Sequence, residues 1–330
     1  MDLNKELAVC TGLVEAEFKK YLDRDIPELY APLKDLMSRG GKRLRPAMCM
    51  LACEAVGGKK KDAAAAGACI EMIHNFTLIH DDIVDRSELR RGKPCLHKAY
   101  SLGLAINAGD GLFSLAYEAL ADAMDSLGGK TDKELLRRVA GAVTLVSEGQ
   151  ALDIAWVERK VWGLGEADYF KMIRRKTGAL MEAACAVGAL VGGGTPKQVK
   201  ALGDFGMGIG VGFQIHDDVL NLRADVKKYG KEIGGDINEG KRTLMVIYTL
   251  NACTPAERKR LVHILDKDKN SGDEIRNAIE IINKYGSVER AAGEAKRIVE
   301  GAKEGLGALP DSRSKELLLE IADYMIERDL

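Results

Sequence analysis

The chain has 330 residues, 46% of them hydrophobic and 30% charged, which is enough apolar material to fill a sizeable core in one large domain or two. A formal net charge of −1 provides no global field for recruiting nucleic acid or an anionic membrane, so any anion binding must be local. The seven cysteines (Cys10, Cys49, Cys53, Cys69, Cys95, Cys185 and Cys253) are scattered and odd in number, and they read as small core residues of a reducing compartment. Cys49 and Cys53 stand four apart, but no second Cys or His pair completes a zinc pattern.

Residues 1–20 mix Asp, Lys and Glu with apolar residues and have no continuous apolar core, which argues against a signal peptide. Strand-type alternation is absent, and of the seven prolines only Pro32 and Pro46 fall within a predicted helix beyond its first residue. The predicted helices cover 3–22, 27–38, 42–56, 61–85, 106–126, 132–159, 166–190, 196–222, 241–251, 255–266, 273–284, 288–306 and 312–328. Thr131 with Glu134, Thr195 with Gln198 and Thr254 with Glu257 have the spacing of capping boxes, the latter two with Pro at the first helical position. The longest apolar run, Gly178 to Gly194, contains Glu182, ends in three glycines and is too short to span a bilayer. The expectation is an all-α protein forming one domain over 1–330, cytoplasmic and without a transmembrane segment.

The fourth predicted helix ends in Ile79-His80-Asp81-Asp82-Ile83-Val84-Asp85, and the eighth in Ile215-His216-Asp217-Asp218-Val219-Leu220-Asn221. At one, three and four residues apart, Asp81, Asp82 and Asp85 are expected to present carboxylates to one side of a helix. Such carboxylates repel one another and oppose the helix dipole at a C-terminus, so a cation is needed there. Oxygen-only ligands favour a hard cation, and Mg²⁺ takes one or two carboxylates and completes its shell with water or phosphate. Two clusters at the ends of two helices lying side by side would clamp a diphosphate. A single acidic run is more often a solvated helix end; the repetition of the whole motif favours metal.

Positive charge is placed locally. Lys42, Arg43 and Arg45 follow Gly40-Gly41 at a helix start, where backbone N–H groups and cations together make an anion site. Arg90 and Arg91 lie in a loop just after the first acidic cluster, and Arg174-Arg175-Lys176 and the stretch Lys231 to Lys241 supply further cations. Five glycines between 203 and 212, each costing about 1 kcal/mol relative to Ala, imply close approach of another helix or of a ligand, with packing favoured. No Ser, Cys or Lys nucleophile is marked out, so metal and electrostatic catalysis is favoured over covalent catalysis.

Taken in order, the motifs GGKRLRP, IHDDIVD with RRGKP, EGQALD, KTGAL, GFQIHDDVLN and GGDINEGKRT resemble those of the trans-isoprenyl diphosphate synthases, and most of all the archaeal geranylgeranyl type. The resemblance covers nearly the whole chain. It implies the all-helical isoprenoid synthase fold around a deep cavity, commonly as a homodimer. It further implies Mg²⁺, three ions per site, held by Asp81, Asp85 and Asp217, with Asp82 and Asp218 supporting. Arg90, Lys176, Lys231 and Lys241 would hold the allylic diphosphate, while Lys42, Arg45, His74 and Arg91 would hold isopentenyl diphosphate. Thr177 and Gln214 would lie near the reacting carbons. The implied reaction joins the two substrates head to tail to give a short all-trans prenyl diphosphate, with transient membrane contact for product release. One position departs from the pattern: Asn221 stands where a third Asp is usual, and activity is expected to survive because the metal duty falls on the first Asp.

Product length is assigned in this family to the fifth residue before the first aspartate, here Phe76, and Phe76 together with a first cluster lacking a two-residue insertion resembles the C20 archaeal pattern. Helix geometry alone would have chosen Thr77, since Phe76 lies about 140° around the helix from Asp81. A C15 or bifunctional C15/C20 product, or a non-catalytic partner subunit, are the alternatives. A class I terpene cyclase would lack GGKRLRP, and a His-Asp phosphohydrolase would need His80 and His216 as metal ligands.

Overall fold

Capping chemistry and turn residues divide the chain into a series of helices. The computed structural model describes residues 2–125, 127, 129–223 and 234–326. In chain order the elements are α1 (Leu3–Leu22), α2 (Pro27–Ser38), α3 (Leu44–Ala55), a 3₁₀ turn (Lys60–Ala63), α4 (Ala64–Val84), β1 (Leu89–Arg90), β2 (Lys93–Pro94), α5 (Leu96–Ala99), α6 (Leu102–Met124) and α7 (Gly129–Glu158). They continue with α8 (Glu166–Ile173), a π-helical turn (Arg174–Gly178), α9 (Ala179–Val191), α10 (Pro196–Arg223), α11 (Gly235–Asn238), α12 (Leu244–Ala252), α13 (Pro255–Leu265), α14 (Gly272–Lys284), α15 (Ser287–Gly305), a 3₁₀ turn (Leu306–Ala308) and α16 (Arg313–Ile326).

Two of the three predicted capping boxes form. Thr254 and Glu257 bond reciprocally at the start of α13, and Thr195 and Gln198 do the same before α10. Thr131 lies inside α7, which begins two residues earlier at Gly129, so no box forms there. Ser271 with Glu274 makes a box that the sequence reading passed over. The predicted helix 241–251 starts at Leu244 because the Thr243 hydroxyl caps it, and the one predicted from 106 begins at Leu102 behind the Ser101 cap. The predicted helix 166–190 is interrupted by the π-helical turn, and the stretch between α4 and α5 makes a two-residue hairpin pairing Leu89 with Pro94 and Arg90 with Lys93.

The chain is organised in two compact units, each assembled from separated stretches. The first comprises Met1–Val143, Leu180–Gly206 and Gly305–Ile321; the second comprises Thr144–Ala179, Met207–Glu304 and Ala322–Leu330. In the first, α4 packs along α6, and buried Cys49, Cys53, Cys69 and Cys185 act as small core side chains, as expected from their Ala-rich surroundings. In the second, Tyr169, Ile215, Val219, Leu244, Leu261, Ile282 and Val288 belong to one apolar core. The α10 glycines serve packing. A Cβ on Gly206 would strike the Met181 carbonyl in the first unit, and one on Gly208 would come within 2.6 Å of Ala302 Cβ in the second.

Candidate active site

In the first unit, the Gly40-Gly41-Lys42-Arg43 segment turns into α3 through left-handed backbone, with φ of 75° at Gly40 and 46° at Arg43. For a non-glycine residue such a conformation costs about 1–3 kcal/mol and persists only when its surroundings impose it. Here they do. Arg43, 3% exposed, donates to Glu71 Oε1 at 2.7 Å and to the Met37 carbonyl at 2.6 Å, and Asn75 Nδ2 donates to the same Glu71 oxygen. Lys42 on one side of this anchor is exposed, while Arg45 on the other lies in the first turn of α3. Arg91, at the tip of the hairpin, lays its guanidinium over Gly41 and donates to the Gly40 carbonyl. Burial, reinforced by Arg45, Arg91, Arg90 and Arg43, pushes the His74 pKa well below 6.5 and leaves a neutral imidazole among cations. Of the residues expected to hold isopentenyl diphosphate, the fold thus gathers Arg45, His74 and Arg91, with Lys42 at the rim.

The first acidic cluster does not present three equivalent carboxylates. Asp82, 3% exposed, accepts from Arg90 Nε at 2.9 Å and from the same guanidinium's Nη2. Asp81 and Asp85 are half-buried and four residues apart, Asp85 capping the helix with its N–H on the Asp81 carbonyl at 2.8 Å. The expected common face therefore reduces to Asp81 and Asp85, with Asp82 turned to Arg90. Among the described residues, no group of three or more His, Cys, Asp or Glu side chains is drawn together closely enough to hold a metal by itself. Two half-exposed carboxylates without a nitrogen or sulfur ligand fit Mg²⁺, which leaves several of its positions to water and phosphate oxygens.

In the second unit, Asp153 joins two predicted lysines. This carboxylate, 5% exposed, lies 2.6 Å from Lys176 Nζ and 3.5 Å from Lys241 Nζ. Burial alone would raise its pKa, but the two ammonium groups outweigh it and hold the carboxyl below its ordinary value. Lys176 and Thr177 sit in the π-helical turn, a feature common at functional sites. Gly149 on α7 makes room for that turn, since a Cβ there would collide with the Lys176 backbone. Thr177 Oγ1 donates to Gln214 Oε1 at 2.8 Å, Gln214 Nε2 donates to Asp218 Oδ1 at 2.9 Å, and the Tyr169 hydroxyl donates to Asp218 Oδ2 at 2.7 Å. Asp218 is buried in this chain of bonds while Asp217 stays half-buried, repeating the division between Asp82 and Asp81.

Asn221 is also buried. Its Oδ1 accepts the Asp236 N–H at 3.2 Å and its carbonyl accepts the Gly234 N–H at 2.9 Å, so it ties down the backbone that leads to Lys241. Arg242 fixes the next position, lying over the Trp162 ring at 3.8 Å and reaching Asp266 at 3.3 Å. Lys231 lies outside the described residues. His80 turns away from the acids toward α6, with Nε2 at 3.7 Å from Asp110, and this counts against imidazole metal ligands. Phe76 meets Phe113 of α6 at 4.9 Å between ring centroids, and the Thr77 hydroxyl donates to the His74 carbonyl at 2.8 Å. Sequence reasoning missed Asp153, Tyr169, Glu71 and Gly149. Only Asp153 and Gly149 had a signal, their place in EGQALD.

The model of the polyprenyl synthetases matches residues 26–282. The chain belongs to the polyprenyl synthetase family. A short chain isoprenyl diphosphate synthase of Methanothermobacter thermautotrophicus is 45% identical over 296 residues, covering 89% of this chain and 88% of that protein. The crystal structure of geranylgeranyl pyrophosphate synthetase from Pyrococcus horikoshii is similar with a TM-score of 0.93 at 36% identity, covering 99% of this chain and 98% of that one. Polyprenyl synthase from Caulobacter crescentus, solved complexed with calcium and isoprenyl diphosphate, has a TM-score of 0.88 at 29% identity, covering 98% and 95%. This polyprenyl synthetase has the all-α isoprenoid synthase fold and is a prenyltransferase of a family that condenses isopentenyl diphosphate with allylic diphosphates. Members use Mg²⁺ for diphosphate binding and are commonly dimeric. Among the described residues, no helix is long and apolar enough to cross a membrane.

Proposed function

We propose that this polyprenyl synthetase adds isopentenyl diphosphate to allylic diphosphates and releases geranylgeranyl diphosphate (C20). The observation that carries the reading is the Asp153 carboxylate, which gathers Lys176 and Lys241 at 2.6 and 3.5 Å beside the hydrogen-bonded Thr177 and Gln214. Paired ammonium groups of this kind are suited to an allylic diphosphate, and Arg90 and Lys231 add to the same task. Asp81, Asp85 and Asp217 would hold Mg²⁺, three ions in all, with Asp82 and Asp218 supporting from their buried positions. Bound Mg²⁺ neutralises charge on the diphosphate and so lowers the barrier to its departure.

Lys42, Arg45, His74 and Arg91 orient isopentenyl diphosphate, and the neutral His74 serves as a hydrogen-bonding group rather than another charge. Thr177 and Gln214, fixed to one another, line the reacting carbons. The alkene of isopentenyl diphosphate attacks allylic C1 as the C1–O bond breaks, and the departing diphosphate accepts the proton lost from the new chain. The chain's residues supply position and charge rather than a nucleophile. The family model spans stretches of both compact units, which supports one synthase domain over 1–330. A homodimer is supported by exposed Leu102 and Ile106 on α6, and a cytoplasmic enzyme touching membranes transiently to unload its product fits an apolar product and the lack of a spanning helix among the described residues.

The test is incubation of purified protein with Mg²⁺, isopentenyl diphosphate and farnesyl diphosphate, followed by chain-length analysis of the dephosphorylated products. A dominant C20 alcohol is expected. No elongation from any allylic primer would defeat the reading and favour a partner subunit without activity of its own.

A further inference from the structure

The hairpin that carries Arg90 and Arg91 has two residues in each strand, and its turn is left-handed at both Arg91 (φ 54°) and Gly92 (φ 74°). A ribbon this short is marginal by itself. Its position is also opposed electrostatically. Burial lowers the Arg91 pKa, and Arg43, Arg90 and Arg39 lower it further against the pull of Glu71, so an untethered Arg91 would be driven from the cations around it. Arg90 has its own holder in Asp82, which accepts from its Nε at 2.9 Å.

A second anchor reaches the hairpin from α2. Arg39 is the C-terminal cap of that helix and directly precedes Gly40-Gly41, and its side chain is 2% exposed. Its guanidinium donates from Nη1 to the Pro94 carbonyl at 2.7 Å and from Nη2 to Asp35 Oδ2 at 2.6 Å. Asp35 also faces Lys93 of the hairpin at 3.8 Å. Bonds from Arg39, opposed by burial, hold the Asp35 carboxyl below its ordinary value, so the anchor is ionised at neutral pH. Arg91 crosses in the reverse direction and donates to the Gly40 carbonyl. Two arginines thus clasp the Gly40 turn and the hairpin, each reaching from one segment to the backbone of the other.

We infer that Arg39, fixed by Asp35, is a positioning residue for isopentenyl diphosphate, holding the hairpin against the Gly40-Gly41 turn so that Arg91 stays over Gly41. This inference rests on the proposed role of Arg91 and deepens it. Without the anchor the Pro94 strand loses its tether and Arg91 withdraws, while Arg90 stays on Asp82 and the allylic side of the site keeps its arrangement. Charge alone makes the opposite prediction for one variant. Removing the Asp35 carboxylate from a cationic site strengthens diphosphate binding if only charge counts, and weakens it if the carboxylate holds the anchor.

The experiment measures KM for isopentenyl diphosphate, KM for farnesyl diphosphate and kcat, with Mg²⁺, for the wild type, Arg91→Ala, Arg39→Ala and Asp35→Asn. Arg39→Ala is expected to raise KM for isopentenyl diphosphate about tenfold and Asp35→Asn about threefold, with kcat and the other KM within about twofold of wild type. An unchanged KM for isopentenyl diphosphate in Arg39→Ala, or an unchanged or lower one in Asp35→Asn, overturns the inference. So does an equal rise in both KM values, or a fall in kcat alone, as a merely structural lesion would give. If Arg39→Ala does not fold, the direction of the change in Asp35→Asn decides. A wild type that elongates no primer, or an Arg91→Ala protein with wild-type KM values, removes the reading beneath the inference. A raised KM in Arg91→Ala beside unaltered Arg39→Ala and Asp35→Asn removes only the anchor.

Discussion

Asp153 shows how a residue with no reaction of its own can prepare a site. Its buried carboxylate keeps two lysines close together that would otherwise repel, and it is itself kept ionised by them. Replacing it with Asn removes the charge but little volume, and the freed ammonium groups separate. Asp153→Asn is expected to raise KM for the allylic diphosphate about tenfold, equivalent to about 1.4 kcal/mol, with KM for isopentenyl diphosphate unchanged in steady-state assays. The pH dependence has a definite sign. Because the folded pKa lies below the ordinary 3.8, the carboxylate stabilises the fold above that value and the contribution is lost as pH falls through the folded one. Denaturation of the ligand-free proteins should show the wild type more stable at neutral pH and the gap closing in acid. Sequence patterns exposed the partners Lys176 and Lys241 as cations in loops or helix turns, but an acid buried between them looks like any other acid on a helix until its neighbours are known. Asn221 is the reverse case: the departure from the usual third Asp was visible in the sequence, whereas the bond its side-chain oxygen accepts from the Asp236 N–H was not.

At the scale of elements, the interrupted helix 166–190 was legible as helical but not as broken. The π-helical turn at Arg174–Gly178 turns Lys176 toward Asp153 and Thr177 toward Gln214, and nothing in its apolar periodicity announces the extra residue per turn. What permits it is Gly149 on α7. Gly149→Ala places a methyl group against the Lys176 backbone, and overpacking of this kind costs about 1–3 kcal/mol. In a chain of this size that corresponds to a fall in Tm of roughly 1–4 °C, readable by calorimetry, and the displaced turn should lower kcat along with it. A variant with unaltered Tm and kcat would show that the turn does not depend on this close approach. The α10 glycines carry the same lesson with a better outcome: their number pointed to close packing, and packing is what they serve.

For the whole molecule, the sequence disclosed an all-helical chain with two aspartate clusters and local cations, and the family match bears out the fold and the reaction class. Its organisation into two units was not legible, because each is assembled from separated stretches and no Pro- or Gly-rich linker marks a change from one to the other. The partners inside each cluster were hidden, though the resemblance implies a division of labour: Asp82 is bound by Arg90 and Asp218 by Tyr169 with Gln214, while Asp81, Asp85 and Asp217, the carboxylates proposed for metal, stay half-buried. The measurement that tests this most directly is the rate of isopentenyl diphosphate incorporation against Mg²⁺ concentration for the wild type, Asp81→Ala and Asp217→Ala. The account predicts a wild-type rate that rises with Mg²⁺ and vanishes with EDTA, and a loss of about 10²–10³-fold in each folded variant. Turnover that survives EDTA, or an Asp81→Ala protein as fast as the wild type, would contradict it.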